Sequence, residues 1–256
     1  MDLRVERRDG LVTVTLNRPE RKNAMTDDNW RELRDIFLTI ADDPDDRVVV
    51  LTGEGGDFCA GADLTAGGTE GRAPVLAWMR TVGQAAQAVF GLPKPTIAKV
   101  DGVAVGAGCN LALCCDLVVA SDRARFSEIF AQRGLSLDFG GSWLLPRLVG
   151  LQRAKQLALL GDVVDAATAQ RYGLVAEVVP AAELHAFVGA WADRLLAGPP
   201  IALSLTKALL ESSWAVPFAQ ALEAEAHAQT VNLASHDARE ALAAFAEKRP
   251  PVFTGR

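Results

Sequence analysis

The stretch KPTIAKVDGVAVGAGCNLALCCDLVVAS, residues 94–121, decides the fold. Thr96 to Val100 is a short apolar run of strand type. Gly106 to Cys115 reads as a helix opened by glycines, and Leu117 to Ala120 is a strand again. Strand, helix and strand in succession predict a βαβ unit with a right-handed crossover. The pattern extends upstream. Val48 to Thr52 is a continuous apolar run, typical of a strand covered on both faces. A helix from about Pro74 to Gly91 separates it from Thr96. Before Val48, Thr26 is placed to cap a helix whose Trp30, Leu33, Phe37 and Ile40 share one face. Leu3 and Val5, then Val12, Val14 and Leu16, alternate around Asp9-Gly10 and predict a β-hairpin.

Downstream the pattern changes. From Gly140 on it is almost all helical, with one short strand near Val175 to Val179. Gly198-Pro199-Pro200 marks the best boundary, which divides the chain into a core, 1–197, and a helical region, 198–256. The apolar positions Leu222, Ala226, Val231, Leu242 and Phe245 are too many for a free appendage. They predict docking on the body or on another subunit.

Bulk properties exclude several classes. The 256 residues suit one large domain, or a domain with an appendage, and half of them are apolar. A net charge of −6 argues against nucleic acid, which calls for a basic excess. No apolar run is long enough for a membrane span, and Met1-Asp2-Leu3-Arg4 carries no apolar signal core, so a cytoplasmic protein is expected. Cys59, Cys109, Cys114 and Cys115 lack the C-x-x-C spacing of a zinc site and read as small buried hydrophobes. His185, His227 and His236 lie in helix-like segments without metal spacing. No metal and no cofactor is expected.

Two turns stand out: DFCAGADL, residues 57–64, and VGAGCN, residues 105–110. Each sits where a strand ends and a helix should begin. Small residues there let the backbone approach a ligand closely. Two backbone N–H groups, one per turn, would make an oxyanion hole; the glycines could equally serve the turns alone. Dinucleotide binding is disfavoured, because the third fingerprint glycine is replaced by Leu111. Neither G-x-S-x-G nor a P-loop occurs.

LNRPERKNAM (16–25), DFCAGADL, the stretch 94–121, GLSLDFGGSWLLPRLVG (134–150) and AAFAEKRPPVF (243–253) together resemble the enoyl-CoA hydratase/isomerase, or crotonase, family. The resemblance covers nearly the whole chain. It implies an α/β spiral of ββα and βαβ turns, a helical C-terminal trimerisation region and acyl-CoA thioester chemistry, with CoA as part of the substrate. It also implies a homotrimer or a dimer of trimers. The oxyanion donors it implies are the N–H groups of Ala62 and Ala107, the latter alanine standing where many members have glycine. By the same resemblance Ala60, Asp63, Leu64 and Thr65 follow the CoA arm. Arg21, Lys22 and Ala24 meet its nucleotide end. Phe245 and Lys248 reach CoA, often from a neighbouring subunit.

The chain departs from the hydratases of that family, which use two glutamates to hold and activate water. Here those positions carry Asn110 and Phe130. Glu128 is near in sequence but, on a strand or turn, is expected to point elsewhere. Asp138 remains, amid Leu135, Leu137, Phe139 and Trp143, as either a helix cap or a base. Asp in this stretch together with Asn after the GAG turn resembles the isomerase subgroup that forms a ring oxepin in phenylacetyl-CoA breakdown. An isomerase with Asp138 as base is therefore expected. The competing readings are a hydratase with a different acid set, and a non-catalytic acyl-CoA-binding or RNA-binding member of the fold. The loop Thr65 to Arg72 and the following Trp78 and Met79 would line the acyl pocket.

Overall fold

The computed structural model describes residues 1–65 and 74–256. The predicted hairpin forms from β1 (Leu3–Arg8) and β2 (Leu11–Leu16), with Asp9 and Gly10 both at positive φ, as its tight turn requires. Thr26 caps α1 (Asp27–Asp42). Its hydroxyl accepts the Asn29 N–H, and the Asn29 side chain accepts the Thr26 N–H in return. Trp30, Leu33, Phe37 and Ile40 are buried along one face of α1.

Next come β3 (Val48–Gly53), α2 (Val75–Phe90), β4 (Thr96–Val100), β5 (Val103–Val105), α3 (Ala107–Leu113), β6 (Leu117–Ser121) and β7 (Arg125–Ser127). The chain continues through α4 (Gly141–Leu160), β8 (Val163–Asp165), α5 (Ala166–Tyr172), β9 (Glu177–Val179) and α6 (Leu184–Leu196). It ends in α7 (Pro200–Ser212), α8 (Phe218–Ala234) and α9 (His236–Glu247).

The main sheet runs in the order β1-β2-β3-β4-β6-β9 and is parallel from β2 onward. One face packs against Trp30, Leu33 and Phe37 of α1 and Val82, Ala85 and Val89 of α2. The other face presents Val48, Val50, Ile97 and Val119 to Leu184, Val188 and Ala192 of α6. This two-sided burial explains the continuous apolar run at 48–52.

A second sheet, β5-β7-β8, was not anticipated. Its strands are three residues each, too short to show a period-2 pattern. The stretch after Gly140 therefore holds two short strands rather than one, β8 and β9. Helix α4 is broken at Gly150, whose φ of 75° and ψ of 157° are non-helical. Beyond α6, Arg47 donates to the Leu196 and Gly198 carbonyls, and the largely buried Lys207 of α7 pairs with Asp116 at 3.0 Å. The helical region thus docks on the body. Among the described residues no helix is long and apolar enough to cross a membrane.

Candidate active site

The two small-residue turns meet. Ala62 is bridged to Met25: the Met25 N–H donates to the Gly61 carbonyl at 2.8 Å, and the Asp63 N–H donates to the Met25 carbonyl at 2.8 Å. The Ala62 N–H therefore faces away from Met25. On the other turn, the Val105 N–H donates to the Cys59 carbonyl at 3.0 Å, and the Gly106 N–H donates to the Ser127 carbonyl at 2.8 Å. Among the described residues, neither the Ala62 N–H nor the Ala107 N–H meets an acceptor.

The crossing is too close for side chains. A Cβ on Gly61, at φ +89°, would lie 2.7 Å from the Val105 carbonyl and 3.4 Å from the Ala107 nitrogen. A Cβ on Gly108 would lie 2.3 Å from the Cys59 carbonyl oxygen. These glycines let the Ala62 turn come down onto the start of α3.

The residues expected to hold a CoA ester fall into two groups. Lys22 and Ala60 are joined by the Ala60 N–H donating to the Lys22 carbonyl at 2.9 Å, so Arg21, Lys22 and Ala24 lie beside the segment 60–65. Leu64 and Thr65 are exposed. The Asp63 side chain turns inward and accepts from Thr65 Oγ1 at 2.7 Å and Arg18 at 3.0 Å; Thr65 and Arg18 hold its carboxyl down at about 2. Asp63 therefore shapes the turn with its side chain. Arg18, which also donates to the Ala24 carbonyl, was not singled out from sequence. Its partners are 6 and 45 residues away, and no local pattern encodes them.

Phe245 and Lys248 form the second group. Phe245 is 85% exposed on α9 and Lys248 caps that helix in the left-handed conformation. Both stand on the helical region, and α9 packs against α8. Of the expected acyl-pocket lining, residues 66–72 lie outside the described residues. Trp78 and Met79 are half-buried on α2.

The acids are arranged differently from expectation at one point. Asp138 is not the cap of α4: that position is Gly140, which makes no side-chain cap, and only the Asp138 backbone carbonyl engages the helix start, accepting from the Gly141 N–H. The Asp138 Oδ1 is shut off from solvent and has no hydrogen-bond partner among the described residues. Burial lifts the carboxyl to about 6.

Glu128 was expected to point elsewhere, and it does not. The backbone turns at Glu128 into a short 3-10 segment, Ile129–Arg133, and the turn sends the side chain inward. Its Oε2 accepts from Asn110 Nδ2 at 3.3 Å, and the same Nδ2 donates to the Asp138 carbonyl at 3.0 Å. Burial lifts Glu128 to about 7; hydrogen bonds from Cys109 and Asn110 oppose the rise, and the Asp138 charge adds to it. Glu128 shares with Phe126, Leu145, Leu157, Val164 and Leu174 a hole too tight for a water molecule. Phe130 is buried, its ring 3.6 Å from where a Gly106 Cβ would be. The four cysteines are free and buried, as expected. Among the described residues no three or more His, Cys, Asp or Glu side chains gather as a metal-holding group.

Comparison with known proteins gives a consistent picture. A sequence model of the enoyl-CoA hydratase/isomerase family matches residues 6–256. The 1,2-epoxyphenylacetyl-CoA isomerase of Escherichia coli is 38% identical over 251 residues, covering 96% of each chain. The crotonyl-CoA hydratase of Syntrophomonas wolfei is 36% identical over 257 residues, covering 98% of this chain and 97% of its own. An enoyl-CoA hydratase crystal structure from Bacillus anthracis superposes with a TM-score of 0.95 at 33% identity, covering both chains in full.

Proposed function

The chain belongs to the enoyl-CoA hydratase/isomerase family, and on that premise we propose that it isomerises an enoyl-CoA thioester with Asp138 as the base. The thioester carbonyl would lie between the Ala62 and Ala107 N–H groups. The Asp138 carboxylate takes a proton from the α-carbon of a 3-enoyl-CoA. The electron pair passes to the thioester oxygen as a dienolate, where the two donors stabilise it more than they stabilise the ground state. The same carboxylic acid, now neutral, returns its proton at the γ-carbon and is a carboxylate again. Charge and atoms balance without a metal or redox partner.

The observation that carries this reading is Asp138 itself: a half-buried acid whose Oδ1 has no partner among the described residues, with Asn110 and Phe130 at the positions where acids would be needed for water. Hydration is the second reading, favoured by Glu128 as a second carboxyl near Asn110. The space beside that carboxyl, between Phe126, Leu145 and Leu174, is too tight for a water molecule, and this is what favours isomerisation over hydration.

The test is NMR in deuterated buffer with 3-hexenoyl-CoA and 2-hexenoyl-CoA. Isomerisation moves the double bond, and because one carboxyl carries the substrate's own proton, the product should hold less than one deuterium per turnover. Formation of 3-hydroxyhexanoyl-CoA at a faster rate than double-bond migration would establish the hydratase reading.

A further inference from the structure

We infer that Glu128 is a positioning residue for Asp138, acting through the Asn110 carboxamide that joins them. This rests on the reading of Asp138 as the base. Glu128 is 1% exposed and lies beneath α3, behind Asn110. One Asn110 nitrogen is shared between the Glu128 carboxyl, at 3.3 Å, and the Asp138 backbone carbonyl, at 3.0 Å. Asn110 is fully buried in this arrangement. A Cβ on Gly141 would lie 2.4 Å from its Nδ2 and 2.7 Å from its Oδ1, so the start of α4 presses directly on the carboxamide. The turn that carries Asp138 is also held by the Gly141 N–H donating to the same Asp138 carbonyl at 2.9 Å, by the Phe139 ring against Trp30, and by a long contact, 3.7 Å, from the Cys114 thiol to the Phe139 carbonyl. Among the described residues the side chain that hydrogen-bonds to Asp138 itself is Asn110, and Glu128 anchors Asn110.

The anchor has a charge state of its own. Cys109 on α3 and Asp138 on the turn are the ionisable groups that act on Glu128 among the described residues. The side chains that close the hole around it, from Phe126 to Leu174, are apolar apart from Ser127 and Cys109. As a neutral acid, Glu128 still offers Oε2 to Asn110 and adds no charge. Once ionised, it puts a second negative charge beside Asp138 and opposes the enolate.

Two variants and a pH series test this on the full chain with 3-hexenoyl-CoA. Glu128→Leu removes the anchor; kcat should fall about tenfold or more, the scale expected when a reacting group is misplaced, while KM stays within about twofold, because this network does not touch the CoA arm. Glu128→Gln keeps an acceptor oxygen for Asn110 and should restore kcat to within about threefold at the optimum. In the parent, kcat should rise through about 6 as Asp138 ionises and fall above about 7 as Glu128 ionises. In Glu128→Gln the rise should remain and the fall should vanish. A Glu128→Leu variant with parental kcat, or a Glu128→Gln variant with an unchanged alkaline fall, overturns the inference. If Glu128→Leu prevents folding, the pH series on Glu128→Gln still decides. Asp138→Asn separates the two ideas. If it retains full activity, the base assignment fails and this inference with it. If it is inactive while both Glu128 variants behave as the parent, only the role of Glu128 fails.

Discussion

Asp138 and Glu128 differ in how far they are buried, and that difference fits the tasks proposed for them. Asp138 is half-buried and Glu128 is sealed, and each keeps one carboxyl oxygen without a hydrogen-bond partner among the described residues. Asp138→Asn keeps the shape and removes the basicity. It should lower isomerisation at least ~10²-fold, the low end of general-base contributions, with CoA-ester binding and melting temperature nearly unchanged. Steady-state kinetics and calorimetry on one preparation check both halves. Glu128 makes a separate prediction about stability. Its folded carboxyl titrates near 7 against an ordinary 4.5, so the folded chain holds a proton the unfolded chain has released. That stability is fully present below about 4.5 and is lost as pH rises through about 7, a loss of about 3 kcal/mol by linkage. Glu128→Gln cannot ionise. Its melting temperature should exceed the parent's at pH 8 and match it near pH 4, as thermal scans at the two pH values will show. The burial of Asp138 was legible because apolar neighbours flank it in sequence. Glu128 and Arg18 were not, because Glu128 meets Asn110 18 residues back, Arg18 meets Asp63 45 residues on, and the turn that aims Glu128 has no periodic signature.

The turns, at the scale of elements, are where substitution is most costly. Gly108→Ala on α3 drives a methyl group into the Cys59 carbonyl, 2.3 Å away, and one of the two turns must retreat. In the proposed oxyanion hole, separating them is equivalent to losing a donor, so kcat should fall ~10²–10³-fold. Stability should fall by about 1–3 kcal/mol, as for overpacking elsewhere. Gly189 on α6 is the control: an added Cβ meets nothing within 4 Å. Gly189→Ala should leave kcat unchanged and stabilise by roughly 0.5–1 kcal/mol through helix propensity. Elements with strong local signals were readable from sequence: the Asp9-Gly10 hairpin, the Thr26 cap and the apolar strand at Val48. Strands β5, β7 and β8 were not, because a three-residue strand is defined by its partner and not by its own pattern.

For the molecule as a whole, the helical region leaves a large apolar surface uncovered. Trp214, Phe218, Leu233, Leu242 and Phe245 are all at least 66% exposed. Monomeric proteins rarely leave so much of one region bare. We propose that a neighbouring copy covers it, and sedimentation at micromolar concentration should give three or six times the 27.2 kDa chain. A stable monomer would remove the proposal. The crossing of the two turns also bears on how the chain acquires its site. Backbone hydrogen bonds there join Met25 to Gly61, Val105 to Cys59 and Gly106 to Ser127, and the Ser127 hydroxyl donates onward to the Gly161 carbonyl. Closing such long loops costs entropy before any contact returns it, which slows the search for the native state. On a ribosome, the first hundred residues can emerge and form the hairpin and α1 while the Ala62 and Ala107 N–H groups still have no fixed spacing. The site comes into being only after the strand ending at Ser127 has left the exit tunnel, so a chain truncated before that point would be a folded fragment at best and never a weak catalyst.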